Sequence, residues 1–70
     1  MFKELFFEDD YYKLIDKKGN EVKWFKFNGD IMRVEDVYQD AVLAISPAGS
    51  YIKLSLNSIK SQDKSIKGII

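Results

Sequence analysis

Three pairs of residues in this chain share one spacing, an aromatic followed two positions later by lysine: Tyr11 and Lys13, Trp24 and Lys26, Tyr51 and Lys53. On an extended strand, residues two apart lie on the same face, so each pair sets a ring beside an ammonium group. Rings spaced by cations can stack nucleobases while neutralising phosphates, each stacked base being worth about 1–3 kcal/mol. The same groups can anchor a protein partner, because Tyr and Trp dominate interface hot spots. The bland alternative is an ordinary outer strand face, where a lysine stem lies over a ring to cover it.

Other chemistry is poorly supplied. The chain has no histidine and no cysteine, which removes imidazole acid–base catalysis, thiolate nucleophiles, disulfides and soft zinc ligation. Ser46, Ser50, Ser55, Ser58, Ser61 and Ser65 therefore have no imidazole to activate them, and no Gly-x-Ser-x-Gly elbow occurs. The four glycines make neither a phosphate-binding loop nor a dinucleotide fingerprint. Acids gather at Glu8, Asp9 and Asp10 and again at Glu35, Asp36 and Asp40, but neither run has the alternating acids, glycine and terminal glutamate of a calcium loop. Both runs read as solvated loops. No enzyme, metal or cofactor is expected.

Eleven basic residues balance eleven acidic ones, which argues against a strongly basic nucleic-acid binder. The balance is uneven along the chain: residues 1 to 40 carry ten acids and seven bases, residues 41 to 70 one acid and four lysines. The apolar stretch near the start is too short for a secretory signal and none is long enough to span a membrane, so a cytoplasmic, membrane-free location is expected.

The elements that must carry the three pairs are short strands between turn signals. Residues 11 to 16 ("YYKLID") and 21 to 27 ("EVKWFKF") flank "KKGN" and predict a β-hairpin. Asn28-Gly29-Asp30 predicts a second tight turn into a strand at 31 to 37. Further strands are expected at 41 to 46 and, after the Pro47-to-Ser50 turn, at 51 to 56, where Ile52, Leu54 and Leu56 alternate with Tyr51, Lys53 and Ser55. Residues 57 to 61 suit a single 3₁₀ turn and 65 to 70 a closing strand. Residues 2 to 7 fit either a short helix or a strand.

Seventy residues make a single domain, 1 to 70, that buries about 60 percent of its unfolded surface, too little for two full sheets. The expected fold is all-β: an SH3-like barrel of five or six short antiparallel strands. An OB-like barrel is the competitor. Within "EVKWFKF", alternation puts Val22, Trp24 and Lys26 on one face and Lys23, Phe25 and Phe27 on the other. Phe25 and Phe27 form the more consistently apolar set and are expected inside with Ile52 and Leu54. The opposite orientation would bury Trp24, and alternation alone does not choose between them.

Residues 31 to 59, "IMRVEDVYQDAVLAISPAGSYIKLSLNSI", resemble the strand–bend–strand–turn–strand run of Sm-like proteins. Asp40 stands where that family's base-contacting asparagine would be expected, and Asn57-Ser58 replaces its glycine-bearing segment, so RNA binding and ring assembly are not carried over. A chain of this size also resembles the small inhibitors and accessory factors of phages and mobile elements.

The expected function is a non-catalytic protein–protein interaction module that binds through Tyr11, Lys13, Trp24, Lys26, Tyr51 and Lys53. Single-stranded nucleic-acid binding by the same residues is the first alternative. A self-associating structural subunit, a homo-oligomer, is the second.

Overall fold

The computed structural model describes residues 12 to 70. The expectations for residues 2 to 7, for Tyr11 and for the acids at 8 to 10 lie outside the described residues. The described chain is mostly β and forms strands β1 (Leu14–Asp16), β2 (Trp24–Phe27), β3 (Asp30–Val37), β4 (Ala41–Ile45) and β5 (Tyr51–Ser55), helix α1 (Leu56–Gln62) and strand β6 (Ile66–Ile69). These make two antiparallel sheets, β1–β6 and the meander β2–β3–β4–β5.

The turns behave as their residues predict. Asn28 and Gly29 both take positive φ, 52° and 84°, the pairing a type I′ hairpin turn requires. Gly19 sits at φ 87° and donates its N–H to the Asp16 carbonyl at 3.0 Å. The Asp16 carboxylate accepts the N–H groups of Asn20 and Lys18, each at 2.9 Å, and these bonds, Asn20's foremost, hold its pKa below the ordinary 3.8.

The expected first hairpin forms only beside its turn. Around the turn, Val22 N–H donates to the Leu14 carbonyl at 2.7 Å, Asp16 N–H donates to the Asn20 carbonyl at 3.0 Å, and Ile15 bridges Glu21. The chain then bends at Lys23 and β2 leaves for the other sheet. The run 21 to 27 is thus shared between two sheets, and the ladder partner of β1 is β6.

Closure into a barrel is not seen: among the described residues no ladder joins the two sheets. A helix takes that place. Ser55, in an extended conformation, accepts the Ser58 N–H on its Oγ at 3.2 Å and starts α1 as an α-helix where a 3₁₀ turn was expected. Such an N-cap contributes about 1 kcal/mol. Ile59, fully buried, is the helix's core residue. It belongs to one buried cluster with Leu14 and Ile66 from the small sheet and Phe25, Met32, Val42 and Ala44 from the large one. Seven residues would not hold a helix in isolation, so this tertiary burial is what sustains it.

One irregularity keeps the core continuous. β3 pairs with β4 as Val34↔Ala44 and then Asp36↔Leu43, leaving Glu35 as an extra residue. This β-bulge lets Val34 and Val37, three apart, both pack against the core while Glu35 and Asp36 stay exposed.

Candidate functional site

The outer face of the meander follows from its register. Trp24 stands opposite Arg33, Arg33 opposite Ile45, and Ile45 opposite Tyr51, so one row crosses all four strands. With strands about 4.8 Å apart, the backbones of Trp24 and Tyr51 stand roughly 14 Å from each other. The end pairs are close ones. The Val34 N–H to Lys23 carbonyl bond, 2.9 Å, and the Ser46 N–H to Ser50 carbonyl bond, 2.9 Å, place Trp24/Arg33 and Ile45/Tyr51 at non-hydrogen-bonded positions, where opposing side chains approach most nearly.

Alternation now has a direction. Trp24 is 59% exposed and Tyr51 64%, while Phe25, the next residue along β2, is 2% exposed, opposite buried Met32. Lys26 and Ile31 form the next pair outward of Trp24 and Arg33, both exposed. In the middle of β5, Lys53 lies opposite Leu43, and its Nζ sits 4.8 Å from the centre of the Tyr38 ring. Cation–π contact of this kind in an exposed setting is worth about 0.5–1 kcal/mol. The Tyr38 hydroxyl donates to Asp36 Oδ2 at 3.5 Å, and Arg33 Nη1 lies 3.8 Å from Glu35 Oε1.

Four of the six residues expected to bind therefore share one face: Trp24, Lys26, Tyr51 and Lys53. They do not form the adjacent stripe that the spacing suggested, because β2 and β5 are opposite edges of the sheet with two strands between them. Lys13 is elsewhere. Its N–H donates to the Ile70 carbonyl at 2.8 Å and its carbonyl accepts the Ile70 N–H at 2.9 Å, so it extends the β1–β6 ladder. Tyr11 lies outside the described residues.

Ile52 and Leu54, expected to be buried, are corrected. Both face inward, opposite Ala44 and Val42, yet Leu54 is only half-buried and Ile52 is 38% exposed. β5 is an edge strand, and its inner face is covered at the Leu54 end, where the chain enters α1, but not at the Ile52 end.

Spacing alone missed Arg33, Ile45, Ile31 and Tyr38. Arg33 had a signal: a two-residue Asn28-Gly29 loop makes Phe27 and Asp30 opposite, and counting outward pairs Trp24 with Arg33. Ile45 and Tyr38 depend on the β3 bulge and the β4–β5 turn, which no spacing rule announces.

Among the described residues no group of three His, Cys, Asp or Glu side chains is placed to hold a metal ion. Glu35 and Asp36 border an open groove of about 290 Å³ at the joint between the sheets, shared with Tyr12, Glu21, Lys23, Val34 and Val37. No helix among the described residues is long and apolar enough to cross a membrane. No protein-family model, curated protein or solved structure matches this chain.

Proposed function

We propose that this protein is a non-catalytic interaction module that holds a protein partner against the outer face of the β2–β3–β4–β5 sheet. The observation that carries the reading is the row Trp24–Arg33–Ile45–Tyr51, with both rings more than half exposed. Trp, Arg and Tyr are the residue types most enriched at hot spots, and here they flank an aliphatic centre on a rigid sheet, so little ordering entropy is lost on binding. Lys26, Arg33 and Lys53 lie on the same face and favour a partner that brings acidic groups to the rim of an apolar patch. On this reading the fold is an SH3-like barrel left open, with α1 in the gap, and the chain acts in the cytoplasm as a small accessory or inhibitor protein.

The test is capture of the partner from lysate of the source cell, with and without nuclease, followed by titration of the captured partner against the parent and Trp24→Ala. Loss of a hot-spot ring should weaken binding by about 2 kcal/mol, roughly thirtyfold. Capture that vanishes with nuclease, together with an affinity that falls steeply with salt, would instead assign the face to single-stranded nucleic acid. Undiminished binding by Trp24→Ala refutes the proposed site.

A further inference from the structure

The two edges of the large sheet are treated differently. On β2 the Lys23–Val34 bond sets the alternation, so the N–H groups of Lys26 and Asn28 point away from β3. Both are satisfied by residues at the end of α1: Lys26 N–H donates to Asp63 Oδ2 at 3.1 Å and Asn28 N–H to Gln62 Oε1 at 3.0 Å. On β5 the bonds from Ser46 N–H to the Ser50 carbonyl and from Leu56 N–H to the Asp40 carbonyl, each 2.9 Å, fix the opposite parity. Ile52 and Leu54 face β4, and the N–H and C=O groups of Tyr51 and Lys53 point outward. Among the described residues nothing accepts or donates to them.

Lysine is the usual guard of such an edge. Here the Lys53 ammonium is drawn back across the sheet, over the Tyr38 ring. The guard has left the edge.

We propose that β5 pairs antiparallel with β5 of a second copy of this chain, about a two-fold axis through Ile52, joining two four-stranded sheets into one of eight strands. Complementarity selects this occupant and this register. With the axis at Ile52, Tyr51 of each chain stands opposite Lys53 of the other, and the two pairs exchange four hydrogen bonds that use the outward groups of both residues in both chains. Moving the axis to Lys53 sets two lysines directly opposite, an unfavourable like-charge pair. On the outer face, each Tyr51 ring gains the aliphatic stem of the other chain's Lys53. On the inner face, Ile52, 38% exposed in the single chain, meets its own copy at the non-hydrogen-bonded position on the axis and is covered. In this register the turn that carries Ala48, Gly49 and Ser50, all small residues, comes beside the start of the other chain's α1.

This inference concerns the sheet edge and shares Tyr51 and Lys53 with the outer-face reading, whereas Trp24 lies on the far strand and belongs to that reading alone. The chain's 70 residues include no cysteine, which permits a clean cross-linking test. Residues opposite at a non-hydrogen-bonded position have Cα atoms about 4.5 Å apart, within disulfide reach. Ile52→Cys should therefore form a covalent dimer under mild oxidation, several-fold more than Lys53→Cys or the helix-surface control Lys60→Cys. Sedimentation of the parent should show mass rising from one chain to two with concentration. Lys53→Pro removes a donor that makes no bond among the described residues, and should weaken dimerisation by at least about tenfold while thermal unfolding stays cooperative. Trp24→Ala should leave the dimer unchanged, so the two readings can fail separately. A parent that stays monomeric to millimolar concentration, or Lys53→Cys cross-linking faster than Ile52→Cys, overturns the proposal.

Discussion

Replacing Trp24 and Phe25 separately by alanine should give opposite outcomes, although the residues are neighbours in one strand. Phe25 is 2% exposed and packs in the cluster that joins both sheets to α1, so its truncation combines lost transfer energy with a cavity and costs about 3–5 kcal/mol. A domain of this size has only about 3.5–10 kcal/mol of stability, so Phe25→Ala stands near the limit of folding. Trp24 keeps 59% of its surface in water. What it buries, roughly 100 Å² for a ring of this size, is worth at most about 2.5 kcal/mol at 25 cal/mol/Å². Residual compactness of the unfolded chain lowers that towards 1.5–2 kcal/mol, by about 10–40%. At about 4–8 °C per kcal/mol, Phe25→Ala should melt at least some 5 °C below Trp24→Ala, and more if the cavity does not collapse. Thermal unfolding followed by far-UV circular dichroism reads this directly. Trp24 is the chain's one tryptophan, so its fluorescence gives a second reading: red-shifted, readily quenched emission from the folded parent. Equal melting points, a reversed order, or a blue, quencher-protected emission would refute the face assignment on which the candidate site rests.

Gly29→Val should destabilise by about 1 kcal/mol or more, since Gly29 holds φ 84° where a β-branched residue is strained even with open space around it, and an unchanged melting midpoint would count against the hairpin turn. Asp63 accepts from Ser65 Oγ at 2.7 Å, from Lys26 N–H at 3.1 Å and from Ser65 N–H at 3.1 Å, and these bonds, the Ser65 hydroxyl's first, hold its pKa below the ordinary 3.8. A carboxylate with a depressed folded pKa stabilises above its unfolded value and loses that contribution as pH falls through the folded one. The advantage of the parent over Asp63→Ala should thus be full at neutral pH and shrink below about pH 4, and a difference constant down to pH 2 would show that the ionised carboxylate is not what closes the β2 edge.

Much of the candidate site was written in local chemistry. The Asn28-Gly29 pair has one favoured turn geometry, that geometry sets the β2–β3 register, and the register puts Trp24 beside Arg33. Alternation separates Trp24 from Phe25, and the all-β class follows from short extended runs between turn residues. These are consequences of sterics within a few residues, which is why composition and spacing carry them.

Tertiary packing decided the rest, where the deciding contact joins residues far apart in the chain. β1 pairs with β6 across some fifty residues, and nothing in "YYKLID" distinguishes that partner from the nearer strand beyond the turn. Two acids between Val34 and Val37 hint at the Glu35 bulge, but only the need to keep both valines on the core makes it a bulge. The seven residues of α1 are helical because Ile59 finds a core to enter, and once there they seal β2 through Gln62 and Asp63 while leaving β5 open. That asymmetry follows from where one helix lands, which local sequence cannot specify, because the energy holding it comes from residues of both sheets.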